Sequence, residues 1–408
     1  MTAALAFLRE NKAFLLAGAL LSFTSSFGQT FFISIFAGEI MSTFSLSDGD
    51  WGLIYSLGTT ASAIVMVWSG VLTDRLRVRV LGAIVFAGLA FACLFMAFNP
   101  YAALLPLSIF LLRFTGQGMT SHIAMVAMAR WFVATRGKAL AIAASGYAVG
   151  EAILPVLFVA AMTLIDWHYL WMVAALFILL MLPVMQRLLR QERTPQSLAE
   201  GDTALGMDGR HWTRKEMLRH PLFWFVLPSI LGPSAFVTAL FFQQVHLAEV
   251  KGWSHVGFVA LFPVYTGVST LFMLLAGWAI DRFGTKRLMP FYQIPIAISF
   301  VVMASTESLW GAALAFALMA MTTGANSTLP SAFWAEFYGT RHIGGIKSIA
   351  TAAMVLGSAI GPAISGVLID RGITFPEQML GITMWFLLAS GLIWFGVTTA
   401  ARSLSRPA

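Results

Sequence analysis

Of the 408 residues, 59% are hydrophobic and 11% charged, against roughly 45–50% and 25% in soluble domains, so a water-soluble globule is excluded. A single cysteine, Cys93, excludes an internal disulfide. The net charge of +7 sits in the loops between apolar stretches, where it marks orientation rather than a nucleic-acid surface.

Twelve apolar stretches are each long enough to cross a ~30 Å hydrocarbon core: residues 13–36, 52–71, 80–98, 102–127, 139–160 and 170–188, then 223–245, 257–280, 288–306, 309–333, 348–369 and 380–400. They lack the alternation of barrel strands and exceed the ~10 residues such strands need. Each is therefore predicted to be a helix, which satisfies its own backbone in lipid. The first stretch is too long for the apolar part of a signal peptide, and SFTSSFGQT, Ser22 to Thr30, gives it a polar cluster containing Gln29. The second runs into the charged turn GVLTDRLRVR, with Asp74 and Arg75. The fourth carries LLRFTGQGMTSH, with Arg113 and Gln117, and ends near Arg130.

Ionisable groups inside a bilayer are functional candidates by default, because an unpaired charge there costs several kcal/mol. Arg113 stands 17 residues before Arg130, and Glu151 in the fifth stretch stands 13 after Lys138, so both lie ~20–25 Å from the same membrane face. A salt bridge between them is expected, either as a substrate- or proton-responsive pair or as a permanent structural bridge.

Residues 189–221 form a polar connection in which Thr213 and Glu216 have capping-box spacing for a short surface helix. The segment reads as a tether or a regulatory element. Beyond it, the seventh stretch holds FFQQVH with Gln243, the eighth holds Tyr265 and ends in GWAIDRFGTKR with Asp281 and Arg282, and the tenth holds TTGANST with Asn326, followed by Glu336. Assigning loops to alternate sides puts every Lys and Arg except Lys251, Arg371 and the intrahelical Arg113 on the side of both termini. The positive-inside rule then makes both termini cytoplasmic.

The halves repeat. Gly70, Asp74 and Arg75 recur 207 positions later as Gly277, Asp281 and Arg282; Thr115-Gly116 recur at 208 as Thr323-Gly324; Gly146 and Gly150 recur at 211 as Gly357 and Gly361. Parallel repeats with a site near the midplane are a recurring transporter plan. Asp and Arg at such turns can pair with each other and with helix ends, holding one conformation. Asp74, Arg75, Arg130, Asp281, Arg282 and Glu336 are the gating candidates, with Glu336 as partner for Arg282; Met128 stands where the first half lacks that acid.

GWAIDRFGTKR, its rougher copy GVLTDRLRVRV with Arg77 in place of a glycine, LLRFTGQGM, and the pair GYAVGEAILP and GSAIGPAISG resemble the signatures of the major facilitator superfamily. The resemblance implies an all-α membrane protein of twelve helices in two six-helix bundles, residues 1–188 and 222–408, joined by 189–221. It also implies that helices one, four, seven and ten line the pathway, which makes Gln29, Gln117, Gln243 and Asn326 substrate hydrogen-bonding candidates beside Arg113 and Tyr265. TALFFQQVHLAEVKGWS and LRHPLFW resemble the monocarboxylate and oxalate/formate branch, although the eighth helix lacks the arginine that branch often carries.

The sequence contains no Walker loop and no HExxH, and its histidines fall mainly at helix ends, so ATP-driven pumping, metallohydrolysis and haem chemistry are not expected. No cofactor or metal is expected. The reading is a monomeric secondary active transporter of the inner membrane, moving a small organic solute such as a carboxylate by alternating access, with protons coupled through Glu151. Efflux of amphipathic compounds and a receptor on the same scaffold are the alternatives.

Overall fold

The computed structural model describes residues 2–69, 72–132, 136–190, 205–339 and 342–403, which are mostly helical, with no strand among them. The chain divides into two compact units, Met1–Glu200 and Gly201–Ala408. Among the described residues nine helices are long and apolar enough to cross a membrane, and the bent pair Arg9–Gly28 and Thr30–Phe44 makes ten. Two further helices complete the expected twelve. Asp48–Ser69 has the length, 22 residues, but opens on Asp48 and Asp50 and is diluted by Gly, Ser and Thr. Ile294–Ser305 has only 12, because the chain before it winds through turns around Pro290 and a second proline, Pro295, opens the helix.

In the first unit, the first crossing packs along the fifth (Arg136–Met162), the second along the fourth (residues 105–131), and the third (Val78–Ala97) along the sixth (Trp167–Leu188). The second unit repeats each pairing: the seventh crossing (Pro221–Phe242) with the eleventh (Ile343–Asp370), the eighth (Phe262–Phe283) with the tenth (Leu309–Tyr338), and the ninth (Ile294–Ser305) with the twelfth (Phe375–Ala400). The repeat read in sequence is thus a repeat of packing. Its glycines mark closest approach: a Cβ on Gly146 would strike the Ala19 carbonyl, and one on Gly361 the Ala235 carbonyl.

The connection is more than a tether from Leu205 onward. Thr213 and Glu216 form the expected capping box on the helix Arg214–Arg219. Met207 and Met217, fully buried, and Trp212, 6% exposed, belong to the apolar core of the second unit with Phe337 and Tyr338. The Trp212 N–H donates to the Tyr338 carbonyl (2.9 Å), satisfying a group left open at a helix C-terminus.

Candidate functional site

The first crossing breaks in the middle. Its helix tightens into a 3₁₀ turn over Ser25–Gly28, Gln29 is extended (φ −87°, ψ 155°), and a new helix starts at Thr30, bent by 48° from the first. The N–H groups of Phe32 and Ile33 both donate to the Gln29 carbonyl, at 3.1 and 3.0 Å, which leaves the Gly28 carbonyl without its helical partner. In a bilayer such a carbonyl must find another donor. Arg113 supplies it, with Nη1 donating to the Gly28 carbonyl at 3.3 Å and to Thr30 Oγ1 at 3.2 Å.

Arg113 opens a π-helical turn, Arg113–Thr120, inside the fourth crossing. Such wide turns are uncommon and recur at functional sites. The two elements meet where neither has a side chain, since a Cβ on Gly116 would lie 2.6 Å from Gly28 Cα. The guanidinium is 1% exposed, its carbon lies 5.4 Å from the centroid of the Tyr55 ring, and the Tyr55 hydroxyl shares a 2.5 Å hydrogen bond with Thr30 Oγ1. Arg113 Nε is buried with no hydrogen-bond partner. A full positive charge is thus held by a carbonyl, a hydroxyl and an aromatic face.

The expected Arg113–Glu151 bridge is corrected here: the hydrogen bonds of Arg113 go to neutral oxygens. Glu151, 7% exposed, accepts from the Tyr147 hydroxyl at 3.2 Å, one helical turn before it. Tyr147 packs edge-on against Phe31 of the broken helix, at 5.7 Å between centroids. The helix break offers Arg113 the Gly28 carbonyl and Thr30 Oγ1 instead. Gln29 is buried at the break, and Gln117 lies in the wide turn, partly exposed.

In the second unit the predicted residues keep separate contacts. Gln243 ends the seventh crossing and donates to Ser365 Oγ at 3.2 Å. Tyr265 packs on Phe241 and Phe316, and Asn326 Oδ1 accepts from the Tyr292 hydroxyl at 3.4 Å. That tyrosine belongs to a polar cluster absent from the sequence reading. Pro233 has no N–H to give the Ser229 carbonyl four residues earlier, and this carbonyl accepts instead from Gln293 Nε2 (2.6 Å) and Tyr292 Oη (3.3 Å).

At the charged turn after the eighth crossing, the Glu336 carboxylate does not take Arg282, which is exposed. It accepts from the Thr285 N–H (3.1 Å) and hydroxyl (2.6 Å), just past Gly284 with φ of 73°. The acid of the tenth crossing therefore holds the backbone of the turn. The side chains of Asp74, Arg75, Arg130 and Asp281 lie outside the described residues.

The sequence profile of the Major Facilitator Superfamily matches residues 18–271 and 258–408. The chain belongs to that superfamily. A bacterial homologue of the human lysosomal transporter Spinster, in its inward-facing unoccupied form, superposes with a TM-score of 0.74 at 18% identity over 98% of this chain and 99% of its own. Its inward-facing occupied form gives 0.75 at 16% identity over 97% and 98%. The nucleoside transporter NupG gives 0.68 at 13% identity over 97% and 100%. At these identities the likeness establishes the twelve-helix superfamily fold. A comparison with curated proteins gives no match. The narrower monocarboxylate and oxalate/formate resemblance finds no support among these matches. The chain is a multi-pass membrane transporter of the superfamily rather than an enzyme.

Sequence reasoning missed Tyr55, Thr285 and the Tyr292–Gln293 pair. Tyr55 gives no signal beyond being a phenol inside an apolar stretch, and Thr285 was hidden among the charges of its motif. The Ser229 carbonyl was legible in principle, since every intrahelical proline leaves an acceptor open four residues before it.

Proposed function

We propose that the protein is a secondary active transporter that moves a small organic anion, a carboxylate foremost, by alternating access with protons coupled through Glu151, and that it works as a monomer in the inner membrane with both termini cytoplasmic. The observation that carries this reading is Arg113, 1% exposed and bound to neutral groups. A buried cation without an anionic hydrogen-bond partner favours an anion that brings the missing charge. Glu151 is the acid that would exchange the proton, with the Tyr147 hydroxyl donating to it and Pro155 four residues further along the same helix. The remaining candidates, Gln29, Gln117, Gln243, Tyr265 and Asn326, supply neutral hydrogen bonds and apolar walls to the solute.

A thermal-shift screen of the purified protein against small carboxylates, sugars, amino acids and amphipathic amines tests the substrate class. A ligand at 100 times its Kd stabilises by about 2.7 kcal/mol. The carboxylates are expected to raise the melting temperature of the wild type and to raise it less in Arg113→Lys, which loses the planar fork. A shift confined to amines or sugars, or one unchanged in Arg113→Lys, contradicts the anion reading.

A further inference from the structure

The segment that enters the seventh crossing carries a surface unrelated to transport. Its six-residue helix, Arg214–Arg219, is fixed at one end by the capping box of Thr213 and Glu216 and underneath by Met217, fully buried. At 100° per residue, Arg214, Lys215, Leu218 and Arg219 fall within an arc of about 140° whose middle lies about 130° round the helix from Met217. Arg214, Lys215 and Arg219 are exposed. The acid on this helix is already engaged, because Glu216 Oε1 pairs with Arg210 Nη1 at 2.8 Å while that guanidinium stacks 4.1 Å above the Trp212 ring.

The far end of the helix is tied to the membrane-crossing element. Trp224, 56% exposed in the first turn of the seventh crossing, donates its indole N–H to the Leu218 carbonyl at 2.9 Å. An exposed indole with its polar edge satisfied by backbone is suited to the boundary between headgroups and hydrocarbon. The three cations therefore stand on a rigid turn at the level where the chain, from Pro221 onward, enters the bilayer. Two of them are arginines, whose fork matches a phosphodiester.

We infer that the face formed by Arg214, Lys215 and Arg219, with Trp224 at its edge, is a docking surface for anionic phospholipid headgroups of the leaflet that the seventh crossing enters. It fixes the connecting segment to the membrane surface as well as to the second unit.

Native mass spectrometry of the full-length protein, exposed to equal amounts of phosphatidylglycerol and phosphatidylcholine, tests the inference. Each basic residue near an anionic leaflet is worth about fivefold in association, so a preference for phosphatidylglycerol of at least about tenfold is expected in the wild type. The R214Q/K215Q/R219Q variant should lower the ratio at least about fivefold, leaving the share owed to the other Lys and Arg of that face, and Lys215→Gln alone should lower it partly. The melting temperature in phosphatidylcholine should not change, since all three side chains are exposed. Equal retention of both lipids by the wild type, or an undiminished preference in the triple variant, overturns the inference. Displacement of phosphatidylglycerol by inorganic phosphate at matched concentration also overturns it, because the surface would then be a site for a soluble anion.

Discussion

Arg113 shows how one side chain joins three helices. Its Nη1 bridges the open Gly28 carbonyl and Thr30 Oγ1, and Thr30 in turn binds the Tyr55 hydroxyl. Removing the shared hydroxyl takes one hydrogen bond from Arg113 Nη1 and one from the Tyr55 hydroxyl, and each such bond contributes about 0.5–1.5 kcal/mol. Thr30→Val should therefore lower the melting temperature measurably, whereas Thr30→Ser should restore it. Equal melting of the wild type and Thr30→Val would show that the hydroxyl carries no load. The candidate status of Arg113 and Glu151 was legible in the sequence, because an ionisable residue in an apolar stretch is visible to anyone who counts charges. The partners of Arg113 were not. The Gly28 carbonyl became an acceptor only through a backbone break, whereas Tyr147, four residues before Glu151 on one helix, was within reach of the i,i+4 spacing.

Among elements, the broken first crossing and the wide turn of the fourth depend on each other, since they touch through Gly28 and Gly116. A methyl group at Gly116 would press on the Gly28 backbone, and overpacking of this kind costs about 1–3 kcal/mol or more. Gly116→Ala is thus expected to reduce both the yield of folded protein and its melting temperature, while Gly118→Ala, which meets the flexible Met66 side chain, should be milder. Equal effects would remove the argument for a forced backbone contact.

The connecting segment carries its own pH response. Glu216 is held at about 2 by its hydrogen bonds to Thr213 and by Arg210. Burial lowers His220 below its usual value, and its Nδ1 accepts from the Leu222 N–H as the cap of the seventh crossing. Both groups have depressed values in the folded state, so both favour the docked segment at neutral pH and lose that contribution on acidification. His220 acts first, as pH falls below the ordinary histidine value of about 6.5, and Glu216 follows below the ordinary carboxylate value of about 4.5. A nitroxide at Leu205→Cys, an exposed position, should become more mobile between about pH 7 and pH 4. A spectrum constant over that range would contradict the expected release. The capping box was readable from Thr213 and Glu216 alone; the docking of Met207 and Trp212 was not, because a single apolar residue in a polar stretch does not declare what it will bury against.

For the whole molecule, the repeated loop and glycine motifs pointed to a duplication, and the three helix pairings of the first unit recur in the second. Crossing number was legible from apolar length. The exceptions have local causes: Gln29 breaks the first crossing, and Pro290 and Pro295 shorten the ninth. Orientation rests on the distribution of Lys and Arg. A cysteine placed in the loop at Arg371, an exposed position, should react with an impermeant thiol reagent from outside the cell, and one at Arg282, equally exposed, should not. The reverse pattern would invert the topology.

The most direct test is accumulation in proteoliposomes of a radiolabelled carboxylate selected by the thermal-shift screen, under an imposed proton gradient. The account predicts that the wild type concentrates the label against its own gradient, and that Glu151→Gln loses this accumulation while still exchanging labelled for unlabelled solute. Undiminished uphill accumulation by Glu151→Gln, or a wild type that only equilibrates the label, would contradict it.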